Sequence, residues 1–153
     1  MNEQELVLID QYARQCIKGH AGALAYKGTQ NPSLIFDEAE VIVRHWLMLL
    51  AQLASLYQVD VSEETLYLMV QEIFRSLIVY LSGAGVILAL GKMFGLGNVV
   101  SRGISGVIYG AMTIALGEAY QTAFRDNIEI NVENVIVQMK SATRNPHNYH
   151  YDD

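Results

Sequence analysis

The chain has 153 residues, is 52% hydrophobic and only 17% charged, and carries a formal net charge of −6 with a mean hydropathy of +0.20. That length suits one domain, and the low charge excludes a disordered chain, while two prolines and one cysteine exclude a collagen-like repeat or a disulfide framework. The acidic balance argues against a nucleic-acid partner, because phosphate binding needs a basic face.

The pattern reads as helix nearly throughout. Leu6, Ile9, Ala13, Cys16 and Ile17 recur at three and four residues, which predicts a helix from Glu3 to about Lys18. Gly19, Gly22 and Gly28 are expected to interrupt the chain beyond Lys18, and Thr29 to Ser33, with Pro32, reads as a turn. Asp37 followed by Glu40 suggests a capping box for a helix from about Glu38 to Tyr57. That helix presents Ile42, Trp46, Leu49, Leu50, Leu53 and Leu56 on one side. Ser62 is placed to cap a third helix, with Glu63 and Glu64 against its N-terminal dipole and an apolar stripe from Leu66 to Leu81.

The next segment is unlike the rest. Ser76 to Gly117 spans 42 residues with only two charges, Lys92 and Arg102, so 24 of the 26 formal charges lie outside it. Each uncharged run is slightly shorter than the ~20 residues that span a bilayer. Lysine and arginine snorkel, however, which would let Lys92 and Arg102 sit at an interface. The simplest object is an apolar helical hairpin over 76–117, turning near Gly95, Gly97 and Asn98. Nine of the twelve glycines lie between Gly83 and Gly117. Gly103, Gly110 and Gly117 fall seven apart, Gly106 and Gly110 form a GxxxG, and Gly91 with Gly95 form another. Small residues on one helix face let a second helix approach closely, so these glycines are the candidate helix-packing and self-association residues.

Beyond the hairpin, Asn127 to Val137 is β-branched and alternating, but a lone strand has nothing to pair with, so a helix opening at Asn131 is preferred. The tail from Ser141 is polar and expected to be flexible in isolation. The domain division is therefore a helical domain over 1–126 and a C-terminal extension over 127–153. The fold class expected is all-α, a helical bundle with a central glycine-rich apolar helical hairpin.

No constellation points to an enzyme, a cofactor or a metal. Gly85 to Lys92 looks superficially like a phosphate loop, but five residues separate Gly85 from Gly91-Lys92, and Met93 stands where Ser or Thr is needed. His147 and His150 with Asp152 and Asp153 are the sole metal-type cluster, and they sit on a polar tail without the rigid spacing of a zinc site. Cys16 reads as a packing residue, and His45, near Glu38 and Gln52, as a hydrogen-bonded helix-face histidine. The N-terminus lacks the basic region of a secretory signal, which suggests the cytoplasm or the cytoplasmic face of the inner membrane.

Three stretches carry a family resemblance: Asn31 to Asp37 leading to Ala51–Gln58, the glycine-rich run from Gly91 to Gly106, and Thr113 to Tyr120. Over roughly Ala13 to Arg125 the chain resembles the bacterial domain of unknown function 697. It departs from that family in two places: Gln58 stands where glycine commonly follows the tyrosine, and Phe94-Gly95-Leu96-Gly97 lacks the usual proline. The resemblance implies a helical domain, often predicted to touch the membrane, that frequently accompanies Ras-like or Era-like GTPase domains. It offers no catalytic residues.

The leading expectation is a non-enzymatic, membrane-associated helical module that forms a homo-oligomer, serves a GTPase partner, or both. The alternative is a soluble helical interaction or structural protein with the hairpin buried in its core. A weaker alternative is a pore-forming oligomer with Lys92 and Arg102 at its mouth.

Overall fold

The computed structural model describes residues 1–83 and 98–151, with side chains over 1–82 and 105–151. Among the described residues the chain is helical and contains no strand. The elements are α1 (Glu3–Gln30), α2 (Leu34–Asp37), α3 (Ala39–Leu56), α4 (Glu63–Gly83), α5 (Asn98–Arg125), α6 (Val132–Arg144) and a 3₁₀ turn at Pro146–Asn148. The chain is an all-α helical bundle. Gly91, Lys92, Gly95 and the turn expected around them lie outside the described residues, as do the surroundings of Arg102 and Gly103.

The first helix departs from expectation. α1 runs through Gly19, Gly22 and Gly28 to Gln30 without a break. A helical glycine costs about 1 kcal/mol relative to alanine. Burial of Ile17, Ala21 and Leu24 in the core outweighs that cost. A capping box does exist, but at the start of the chain. The Asn2 side chain accepts from the Glu5 backbone N–H at 2.8 Å, and the Asn2 N–H donates to the Glu5 carboxylate at 2.9 Å. Asp37 instead closes the short α2, and Glu38, the N-cap of α3, makes no side-chain cap bond. Leu34 and Ile35 are buried, and this pulls the residues before Asp37 into a helical turn of their own.

Other ends keep to the pattern. The Thr65 N–H donates to Ser62 Oγ at 3.1 Å, and the Asn134 N–H donates to Asn131 Oδ1 at 3.1 Å, so α4 and α6 start where capping residues stand. α3 ends in a left-handed residue, Gln58, with φ 55°. There the Val59 N–H reaches the Ala54 carbonyl at 2.8 Å and the Gln58 N–H reaches that of Ser55 at 3.2 Å, which is a Schellman closure. α5 ends the same way at Asn127, φ 51°, with Ile128 bonded back to Ala123 at 2.8 Å.

The two longest helices, α1 and α5, each of 28 residues, pack against one another. Ile17 meets Gly117, Ala25 meets Gly106 and Gly110, and Gly28 meets Tyr109. Rising numbers on one helix against falling numbers on the other make the pair antiparallel. α3 packs on both of them and on α4, while α6 packs on α4 and α5. Val135, Ile136, Met139 and Ala142 of α6 belong to the same core as α1, α3, α4 and α5. The polar tail also departs from the expectation of flexibility. Tyr149 and Tyr151 fold back, half-buried, against the core, and the Arg14 guanidinium stands 5.7 Å from the Tyr151 ring centroid.

Candidate functional site

The glycine face singled out in the sequence is a close helix contact, and its partner is α1 of the same chain. A Cβ added at Gly106 would stand 2.6 Å from the Ala25 carbonyl oxygen and would also meet the Thr29 hydroxyl. One added at Gly117 would stand 2.6 Å from Ile17 Cγ1, and one at Gly110 would stand 3.3 Å from the Ala25 Cβ. From Ser105 to Gly117 every residue except Val107 is buried. The face formed by Gly106, Gly110 and Gly117 therefore packs on α1 within the molecule.

The buried polar side chains of α5 are paired. Tyr109 Oη donates to the Pro32 carbonyl at 2.7 Å and accepts from the Ile35 N–H at 3.2 Å, and burial pushes its phenol up to about 12. Trp46 Nε1 donates to Thr113 Oγ1 at 3.0 Å, whose own hydroxyl donates to the Tyr109 carbonyl. At the far end of the pair, Asp10 of α1 accepts from Tyr57 Oη at 2.6 Å and pairs with Arg125 Nε at 3.0 Å. Gln121 Nε2 donates to Tyr57 Oη at 3.0 Å, so one polar knot ties α1, α5 and the end of α3 together. Burial, reinforced by the Asp10 carboxylate, raises the Tyr57 phenol to about 12.

Two surface features lie beside the α1–α5 pair. On the α3 side, a groove of about 530 Å³ lined by Tyr12, Cys16, Gly19, His20, His45 and Gln52 holds a histidine pair. His20 Nδ1 lies 2.9 Å from His45 Nδ1, and His20 Nε2 lies 2.9 Å from Gln52 Oε1. Since the amide oxygen only accepts, Nε2 of neutral His20 carries the proton, and His45 Nδ1–H donates to His20 Nδ1. Burial first, then the charges of His20, Lys27 and Arg44, lower the His45 pKa. Gln52 thus serves His20, and His20 lies twenty-five residues from His45 in sequence, a pairing that no local spacing could reveal. Burial pushes the Cys16 thiol up, the opposite of an activated nucleophile. Among the described residues no group of three or more His, Cys, Asp or Glu is arranged to hold a metal.

On the tail side, a cleft of about 420 Å³ lies between α1, α5 and the returning C-terminal segment. Its floor is made of small and apolar residues, among them Ala21, Gly22, Ala25, Gly110 and Ile114, and its tail wall includes His147, Tyr149 and His150. The two histidines of the tail are thus beside a helix pair and not on a free extension.

The model of one family, domain of unknown function 697 (DUF697), matches residues 3–143. The chain belongs to this family. The match takes in every helix from α1 to α6 except the last residue of α6, so membership covers the whole bundle, the C-terminal helix included. The chain matches no curated protein and no solved structure at a significant level. Gln58, which follows Tyr57, is the left-handed residue that ends α3.

Proposed function

We propose that this DUF697 chain is a non-enzymatic helical interaction module, a bundle built around α5 that serves a protein partner. The observation that carries the reading is the burial of the middle of α5: twelve of the thirteen residues over 105–117 are covered. An apolar, glycine-rich segment covered by its own chain acts as a scaffold, and the outer faces of α1, α3 and α4 are left to meet other molecules. Exposed Leu8 and Tyr12 on α1 and Leu68 and Val79 on α4 stand on those faces. The family resemblance nominates a GTPase as the partner. Self-association, on this reading, runs through an outer face and not through Gly106, Gly110 and Gly117. The experiment is expression of the full chain and fractionation without detergent. Recovery as a monodisperse soluble species is expected; recovery only after detergent extraction would contradict the reading.

A membrane-associated module is the second reading. It is favoured by α3, whose 18 residues have a mean hydropathy of 1.3 and are long and apolar enough, by length and composition, to cross a bilayer. Trp46, Leu49, Leu50 and Leu53 of that helix are fully buried in the bundle, however, and core helices of water-soluble proteins pass the same test. Flotation with anionic liposomes separates the readings, since a membrane module rises with the vesicles. The pore reading depends on Lys92 and Arg102, whose side chains lie outside the described residues.

A further inference from the structure

We propose that His20 and His45 form a two-nitrogen site for a late first-row metal dication, Cu²⁺ or Ni²⁺, in the groove between α1 and α3. This goes beyond the interaction-module reading and does not depend on it. The two rings come from different helices, yet their Nδ1 atoms stand 2.9 Å apart, with ring centroids 5.2 Å apart and planes at 74°. Imidazole nitrogens bind such ions at about 2.0–2.1 Å, so two of them at a right angle on one ion lie about 2.9 Å apart. The pair already has that spacing. A tetrahedral ion would spread the same two nitrogens to about 3.3 Å. The shorter separation suits adjacent ligands of a square-planar or tetragonal shell, which is the preference of Cu²⁺ and Ni²⁺.

The outer partner of such a ligand is in place as well. A metal-bound histidine donates its other ring N–H to a carbonyl or carboxylate, which fixes the tautomer. Gln52 Oε1 does this for His20, accepting from Nε2 at 2.9 Å and leaving the Nδ1 lone pair toward His45. The bond between the two rings is not an obstacle, because the ion takes the place of the proton they share. That proton moves from Nδ1 to Nε2 of His45, so both Nδ1 atoms offer lone pairs and no proton leaves the neutral pair. Both rings are half-buried and line an open groove of about 530 Å³, which gives them room to turn toward the ion and admits water to complete its shell. Cys16 lines the same groove, but no third His, Cys, Asp or Glu joins the pair among the described residues. Two neutral nitrogens without a carboxylate do not hold Mg²⁺ or Ca²⁺, which take oxygen ligands. The charges of Lys27 and Arg44 reach His45 and oppose a cation, which keeps the affinity in the micromolar range.

The test is calorimetric titration of the full chain with copper(II) chloride in a non-chelating buffer, beside the electron paramagnetic resonance spectrum of the equimolar complex. One Cu²⁺ per chain is expected at micromolar concentration, with couplings from imidazole nitrogen in the spectrum. His20→Gln and His45→Gln should each weaken binding by about tenfold or more in a chain that still melts cooperatively. His147→Gln, on the tail, should leave it unchanged, and magnesium chloride should give no saturable heat. Absence of saturable Cu²⁺ binding, undiminished binding in a folded His20→Gln or His45→Gln variant, or its loss in His147→Gln would overturn the assignment. A parent spectrum without imidazole coupling would overturn it with no variant needed.

Discussion

Gln58 holds a backbone conformation, φ 55°, that a side chain with a Cβ adopts at a cost of about 1–2 kcal/mol, and that glycine adopts freely. The hydrogen bonds that close the end of α3 demand that conformation whatever the residue. Gln58→Gly should therefore raise stability by about 1 kcal/mol in a urea melt, and unchanged or lower stability would mean that α3 ends differently. Asn127, the equivalent residue after α5, already tolerates left-handed backbone, so Asn127→Gly should gain less. The histidine pair sets a pH dependence of known sign. Folding favours neutral His45, because burial and the positive charges of His20, Lys27 and Arg44 oppose its protonation. The unfolded chain takes up that proton near pH 6.5. The contribution is thus fully present above about pH 6.5 and is lost as pH falls below it. Thermal melts between about pH 8 and 5 should show Tm falling on the acid side, and His45→Gln should flatten that slope.

At the scale of elements, the α1–α5 pair organises the bundle, and its glycines are unequal. At Gly106 an added methyl meets the Ala25 backbone carbonyl, which cannot rotate aside, whereas at Gly110 its nearest neighbour is the Ala25 methyl at 3.3 Å. Gly106→Ala should cost about 1–3 kcal/mol through forced separation of the helices, and Gly110→Ala distinctly less, both read from denaturant midpoints. Equal effects would indicate that α1 does not cross α5 there. The α6 cap is independent of this crossing, and Asn131→Ala should cost about 1 kcal/mol. Much of this was legible in the sequence because it is local. Helical periodicity, Ser62 and Asn131 as caps, and the small-residue face from Gly106 to Gly117 are all read within one helix. The remainder is tertiary. Gly19, Gly22 and Gly28 look like helix breakers until the buried Ile17, Ala21 and Leu24 beside them are seen to hold α1 against α5. Spacing alone shows that a helix has a small face, but not whether the helix filling it comes from the same chain. The His20–His45–Gln52 contact and the Asp10–Tyr57–Arg125 knot join residues far apart in sequence, so no window of sequence contains them.

At the scale of the whole molecule, the apolar excess of the composition is divided. Within its most apolar segment, residues 105–117 lie on the inner helix of the bundle, which α1 closes on its glycine face and α3 and α6 meet on others, while residues 76–83 form the end of α4. The tail adds Tyr149 and Tyr151 to the same body. Such enclosure explains the uncharged, glycine-bearing stretch at 105–117: a helix enclosed by neighbours has no room for charge, and close neighbours require small residues. The most direct measurement is amide hydrogen exchange on the full chain in detergent-free buffer, monitored over Ser105–Gly117. These amides should exchange only through global unfolding, with protection reduced alongside stability in Gly106→Ala. Rapid exchange across Ser105–Gly117 in a chain that is otherwise folded, with protection appearing only on addition of lipid, would contradict an α5 enclosed by its own chain.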